Sequence, residues 1–167
     1  MRGAGISIAP PDRRYPARLL AASDAPSGIR SGADKQADGA DDQQDLIDLL
    51  AEGVGPVILS PGTHTWTIDA DADMVMGALS NRAVLIPRGC VINATITGTR
   101  YAFDVNGTTT PVTGVTIWNE GQINIIGITG NQGAIRVRGD VRDFEIGPGM
   151  LENTDSANSQ GPAILIQ

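Results

Sequence analysis

The sequence Ala102-Phe103-Asp104-Val105 returns as Ala134-Ile135-Arg136-Val137 and again as Ala163-Ile164-Leu165-Ile166, at offsets of 32 and 29 residues. A second pattern repeats beside it, because Val112, Val115 and Ile117 reappear 29 residues later as Val141, Phe144 and Ile146. Self-similarity at about 20–50 residues is typical of repeat architectures. Gly, Asn, Pro and Thr separate the short apolar stretches, which favours strands over helices. The sequence therefore predicts an all-β protein, a coiled β-solenoid.

Alternation along each strand predicts which side chains face the core. The predicted inward columns are Phe103, Ile135 and Ile164, then Val105, Val137 and Ile166, and in the next sheet Val84, Val115 and Phe144, then Ile86, Ile117 and Ile146. Asp104 and Arg136 then face outward on neighbouring rungs. We expect them to form an exposed ion pair worth at most about 1 kcal/mol.

Two regions precede the repeats. Residues 1–36 are rich in Pro, Gly, Ser, Ala and Arg, which predicts an extended arm that becomes ordered on a partner. Residues 37–167 are predicted to be a short β-helix of about four coils, where a coil is one turn of the solenoid. A helix is predicted over residues 41–52, because its apolar residues recur with a helical period and Gly53 follows it. We expect this helix to cap the first coil.

Charge is distributed unevenly. The net charge is −7, yet residues 1–36 hold six of the twelve basic residues and only three acidic ones. A basic arm before an acidic body is typical of a segment that docks on a partner, with Arg13, Arg14 and Arg18 as the docking residues. Lys35 is the only lysine and Tyr15 is the only aromatic residue among the basic residues of the arm, so we expect no nucleic-acid partner.

Other features exclude several classes of protein. No apolar run reaches the roughly 18 residues of a membrane span, so we expect no membrane partner. Residues 1–10 lack the pattern of a secretory signal. The single cysteine, Cys90, excludes an internal disulfide and a cysteine metal site. Residues 69–73 have acidic spacing but lack the glycine and distal glutamate of a calcium loop. We expect no metal and no cofactor.

The segment from Ala37-Asp38-Gly39 through the helix to Gly55-Pro56-Val57-Ile58-Leu59-Ser60-Pro61-Gly62-Thr63 carries a resemblance. It resembles the start of pectate-lyase-like right-handed parallel β-helix proteins, which include bacteriophage tailspikes and polysaccharide lyases and hydrolases. Ser60 replaces a usual proline, and His64 stands where tyrosine is common. The resemblance implies a right-handed coil with a capping helix. It does not imply a particular chemistry, because fold does not fix function.

Residues for catalysis are few. Asp140, Asp143 and Glu145 are acidic, but we expect them to be solvated surface groups. Glu120 and Glu152 are the weak catalytic candidates, because they are predicted to approach each other across a turn, as a glycosidase pair must. Trp118 is predicted to point outward and is the candidate for stacking on a sugar, although an aromatic anchor at a protein interface is an equal alternative.

We infer the expected function from three features, namely the basic arm, the lack of a secretory signal pattern in residues 1–10 and the predicted stack of strands. The last predicted strand leaves Ile164, Leu165 and Ile166 without a further rung, and an unprotected edge invites pairing. We expect either a longer protein or another chain to complete the stack. The expectation is a non-catalytic structural subunit of a phage-like virion, the base of a tail or head spike, with the homotrimer usual for the family. Its partners would be other spike proteins and, through the assembly, cell-surface polysaccharide. The alternative is a polysaccharide-degrading or glycan-binding β-helix domain.

Overall fold

A computed structural model describes residues 16–53, 55–126, 132–153 and 164–167. Two helices lie near the N-terminus, α1 (Ser27–Ser31) and α2 (Asp42–Glu52), and a short 3-10 helix spans Asp71–Asp73. The strands are β1 (Arg18–Ala21), β2 (Lys35–Gln36), β3 (Gly55–Leu59), β4 (Gly62–Ile68), β5 (Val75–Gly77), β6 (Arg82–Ile86), β7 (Cys90–Ile96), β8 (Tyr101–Asn119), β9 (Gln122–Ile126), β10 (Gly133–Ile146), β11 (Met150–Asn153) and β12 (Ile164–Ile166).

The strands form a parallel β-solenoid of about three turns. The solenoid fold that the sequence repeats predicted is therefore confirmed. One sheet runs in the order β12-β10-β8-β6-β3-β1-β2, with β5 beside β8, and the other runs β11-β9-β7-β4. Neighbouring strands within these ranges pair in parallel. The number of coils, about three, is lower than the predicted four or so.

The predicted core columns at the first repeat are confirmed. Ile135 pairs with Phe103 on one side and with Ile164 on the other. Phe103 and Ile135 are fully buried, and Trp66 packs edge-on against Phe103 with ring centroids 5.2 Å apart. The core is therefore a stack of aliphatic side chains with a few aromatic rings, which suits the narrow interior of a solenoid.

The predicted register between β6 and β8 is wrong by two residues. Val84 pairs with Ile117, whereas the sequence offset placed it beside Val115. The reason is the length of the corner that follows. Ile86 and Val91 are five residues apart, but their partners on the next coil, Asn119 and Gln122, are three apart. An even shift keeps every side chain on its predicted face, so the core composition is unchanged.

One corner is built from the same unusual backbone conformation on three rungs. Asn81, Gly114 and Asp143 have φ angles of 54°, 65° and 54°, and they lie at equivalent positions of successive rungs. Glycine adopts this left-handed conformation freely and Asn and Asp tolerate it better than most residues. The column explains why a small or Asx residue recurs there.

The predicted arm differs from the structure over residues 16–36. β1 pairs in parallel with β3 and with β2, so these residues form the first rung of the solenoid. Leu20, Ala21 and Ala22 are fully buried. A run rich in Ala and Leu favours a helix by propensity, but pairing with β3 and burial override that preference here. Residues 1–15, including Arg13 and Arg14, lie outside the described residues.

Candidate functional site

Helix α2 seals the N-terminal end of the core. Its position confirms the predicted capping helix, one residue shorter than expected. Leu46, Leu49 and Leu50 are buried in the core cluster, and Ile47 packs against it. Burying three leucines covers apolar surface that the first coil would otherwise expose to water. We call this end of the molecule, formed by α2 over β3 and β4, the sealed end.

Side chains of α2 also satisfy the backbone of edge strand β4. Asp42 Oδ2 accepts a hydrogen bond from the Thr65 amide at 2.8 Å. Gln43 Oε1 accepts from the Thr67 amide at 3.1 Å, and Gln43 Nε2 donates to the Thr67 carbonyl at 2.7 Å. Both Asp42 and Gln43 are buried. The two side chains take the place of a neighbouring strand, so this edge has fewer free groups to offer to another chain.

The other edge at the sealed end is short and charged. β2 has two residues, and Lys35 on it forms ion pairs with Asp45 at 3.1 Å and with Asp48. The hydrogen bond from Lys35 lowers the pKa of Asp48 below its usual range. A two-residue edge strand that carries lysine is a common device against unwanted strand pairing.

Arg18 has a different role from the predicted docking residue. Its guanidinium donates to the carbonyl of Leu49 and, at 2.9 Å, to the carbonyl of Gly53. These are free carbonyls at the C-terminal end of α2, where a cation is favourable. The Arg18 side chain is 14% exposed. The residue therefore fixes the capping helix to the first rung.

The opposite end of the eight-stranded sheet is open. β12 pairs with β10, and the part of the chain that the structure describes places no strand on its other side. Ile164 is 38% exposed and Ile166 is 73% exposed, while Leu165 is half-buried. We call the free side of Ile164–Ile166 the open edge. The structure agrees with the predicted register and exposure of these residues, and their docking role stays a prediction.

Trp118 stands at a corner with an acidic and a basic neighbour. It faces outward and is half-buried, as alternation predicted. Its Nε1 donates to Glu120 Oε1 at 3.2 Å, and Glu120 Oε2 lies 3.8 Å from Nε of Arg88. Arg88 is almost fully exposed. Gly147 packs so closely on the indole that a Cβ there would lie 2.7 Å from it. The indole is thus fixed in place and keeps one part open to solvent.

The two weak catalytic candidates occupy different positions along the coil. Glu120 lies at the corner before β9, whereas Glu152 lies within β11 beside Asn124, four residues further along. The side chain of Glu152 lies outside what the structure describes, so their pairing stays a prediction. Of the other acids, Asp140 pairs with Arg142 at 2.8 Å, and Asp143 and Glu145 are exposed.

A buried ion cluster replaces the exposed pair that the sequence predicted. Asp104 accepts from Arg136 Nε and from Arg138 Nη2, each at 2.7 Å. The Asp104 side chain is 3% exposed, and those of Arg136 and Arg138 are 13% and 29% exposed. The Arg136 guanidinium also lies 5.0 Å from the centroid of the Tyr101 ring. The prediction missed Arg138 and the burial of Asp104. Alternation along a strand predicts that a side chain faces outward, but it does not show which neighbouring side chains cover it. We call these three charged residues the Asp104 cluster.

The remaining reactive groups are buried in the core. His64 is fully buried, its Nε2 lies 3.2 Å from the Ser60 carbonyl, and burial lowers the pKa of the imidazole. Burial raises the pKa of the Cys90 thiol to about 12, which makes it inert. The described ranges hold no group of three or more His, Cys, Asp or Glu residues able to bind a metal. They also contain no helix of the length and apolar character that a membrane crossing needs.

Comparison with protein families, with curated proteins and with solved structures gives no match to this chain.

Proposed function

We propose that this chain is a non-catalytic structural subunit of a phage or phage-like particle. It would form the base or adaptor of a tail or head spike and join a receptor-binding β-helix protein to the particle. The observation that carries the proposal is the contrast between the two ends of the solenoid. Helix α2 covers the core and the β4 edge at one end, while Ile164 and Ile166 of the last described strand are exposed at the other.

The finer parts of the proposal rest on the resemblance of residues 37–63 to pectate-lyase-like proteins. On that basis the coils are right-handed and three copies surround a spike axis. Arg13 and Arg14 precede the first rung and would contact an acidic surface of the particle. The place of action would be the virion, assembled in the host cytoplasm, with contact to cell-surface polysaccharide made through the assembled spike.

Purified particles provide the direct test. An antibody against the chain, with mass spectrometry of gradient-purified virions, should detect it in the particle, and a density map should place a short solenoid at a spike base. A matched measurement on the particle-free lysate gives the control. If the chain were abundant in the lysate and missing from purified particles, the proposal would be wrong.

A glycan-binding role is the second candidate, and the Trp118 corner favours it. A fixed, half-exposed indole beside a carboxylate and an exposed guanidinium is suited to stacking on a sugar ring. Trp118→Ala should abolish binding on a glycan array, while Arg142→Ala, at a different surface position, should leave binding intact. A polysaccharide-cleaving role predicts instead that Glu120→Gln or Glu152→Gln abolishes release of reducing ends. Equal glycan-array binding by Trp118→Ala and Arg142→Ala would reject the glycan-binding role. The lack of any reducing-end release by the unmodified chain would reject the polysaccharide-cleaving role.

A further inference from the structure

A buried histidine lies at the sealed end, on the same face of β4 as the core residue Trp66. His64 is fully buried, and its Nε2 lies 3.2 Å from the Ser60 carbonyl. A carbonyl oxygen can only accept a hydrogen bond, so Nε2 carries the hydrogen and donates it. Nδ1 is therefore the lone-pair nitrogen of the neutral ring. It is buried and has no hydrogen-bond partner in the part of the chain that the structure describes.

A second proton on this ring would be unfavourable in the folded protein. Protonation would create an N–H donor at Nδ1 without an acceptor and would make the ring a buried cation. Asp42 of α2 and Asp24 in the turn after β1 favour the charged ring by their own charge. Cys90 of β7 stays neutral, because burial raises its pKa to about 12. Burial of the ring outweighs the two carboxylates and holds the pKa of His64 below its usual value.

The two sides of β4 are held with different strength. On one side β7 pairs with the whole of Gly62–Ile68. On the other side α2 is attached by two side chains, since Asp42 accepts from the Thr65 amide and Gln43 bonds the amide and the carbonyl of Thr67. A continuous ladder of backbone pairs is harder to open than these few contacts. Water therefore reaches the His64 ring most readily from the side of α2.

We propose that the sealed end is a proton-coupled latch, in which α2 separates from β4 when His64 takes up a proton. In the closed state the ring is neutral, and α2 holds the Thr65 and Thr67 amides. In the open state water solvates Nδ1, and the two amides lose their side-chain acceptors. The inference does not depend on the proposed function, because it uses only contacts within this chain.

The pH at which the latch responds follows from proton linkage. A solvated histidine titrates near about pH 6.5. Below that pH the open state binds one proton more than the closed state, so the ratio of open to closed molecules rises by up to about tenfold for each pH unit. The rise ends where the closed state also binds the proton. Above about pH 6.5 the ratio does not depend on His64.

Amide hydrogen exchange of the full chain, followed by NMR, measures the opening. At neutral pH the Thr65 and Thr67 amides should be less protected than the amides of β8 and β10, and their exchange should respond less to urea, because a local opening exposes less surface than global unfolding. As the pH falls below about 6.5, their protection should decrease by up to about tenfold per unit after correction for intrinsic exchange.

Two variants identify the group that binds the proton. His64→Gln keeps an amide donor for the Ser60 carbonyl but does not titrate, so protection of Thr65 and Thr67 should no longer fall with pH in this region. Asp140→Asn is the matched control, because it removes an exposed carboxylate that is paired with Arg142. This variant should keep the pH dependence of the parent.

Each outcome decides the inference. Weaker protection of Thr65 and Thr67 that falls with pH in the parent, and not in His64→Gln, supports the latch. If in the parent these amides show the protection and urea dependence of β8 and β10, α2 does not open separately and the inference is overturned. This comparison needs no variant, so it holds even where His64→Gln does not fold. An unchanged pH dependence in a folded His64→Gln variant overturns the inference as well.

Discussion

Removal of the Asp104 carboxylate should destabilise the protein strongly. Asp104→Asn keeps the size of the side chain and one acceptor oxygen, but it places an amide NH2 group against a guanidinium that also donates. The original carboxylate accepts two hydrogen bonds of 2.7 Å and is 3% exposed. The substitution leaves Arg136 and Arg138 as two adjacent positive charges without their shared counter-ion.

The burial of each partner sets the magnitude. Breaking a buried ion pair by removal of one partner costs about 3–5 kcal/mol, because the remaining charge is left uncompensated. Arg138 is 29% exposed and can regain some hydration, whereas Arg136 at 13% has less access to water. We therefore expect a loss near the lower limit, about 3 kcal/mol. That is a large share of the roughly 5–15 kcal/mol that stabilises a typical domain.

Urea denaturation followed by circular dichroism measures this loss. With a slope of about 1–3 kcal/mol per molar urea, the midpoint of Asp104→Asn should fall by about 1 M or more. Asp140→Asn is the matched control, because it also removes a carboxylate paired with an arginine, but at an exposed site. Its midpoint should stay within experimental error of the parent. Equal, small shifts for the two variants would refute the reasoning, since burial of the Asp104 cluster would then contribute nothing.

Three further predictions concern single residues. Burial lowers the pKa of His64 in the folded state, so the unfolded state binds more protons below about pH 6.5. The free energy of unfolding should therefore fall as pH falls through that region. His64→Gln should remove this contribution to the pH dependence, as measured by denaturation at several pH values. Gly114→Ala should destabilise the fold by about 1–2 kcal/mol in urea titrations, because it places a Cβ 2.8 Å from Asn81 Oδ1 at a left-handed backbone position. Gly28→Ala is the control, because Gly28 lies in helix α1 and an added Cβ there would meet no atom within 4 Å. This variant should be as stable as the parent or more stable. Cys90 should react with a thiol reagent only after unfolding, since burial raises its pKa to about 12, and rapid labelling of the native protein would contradict its buried position.

The sequence predicts the core well where local alternation is sufficient. Phe103, Ile135 and Val137 are buried in the predicted columns because a strand alternates its faces whatever its neighbours are. The same rule fails to give register. The position of Val84 beside Ile117 depends on how many residues turn the next corner, and corner length has no periodic signal.

The first rung shows a second limit. Arg18 to Ala21 has no alternation to mark it as a strand, and its composition favours a helix. It becomes a strand because β3 offers backbone groups to pair with and because the Ser60 hydroxyl accepts from the Ala22 amide at 2.9 Å. These partners lie about 40 residues away in the chain. A local pattern therefore cannot identify this element.

The candidate site was predictable at one end of the solenoid and not at the other. The open edge could be recognised because Ile164–Ile166 is a strand pattern that continues an apolar column, and its exposure follows from the lack of a further described rung. The sealed end depends on polar side chains. Asp42 and Gln43 look like ordinary first-turn residues of a helix, yet both reach the backbone of β4. The two edges of the solenoid therefore differ. Polar side chains of α2 cover the β4 edge, whereas the β12 edge consists of apolar residues. This difference is what the proposed joining role of β12 requires, because an edge blocked by a capping helix or by charged side chains would not accept a further strand.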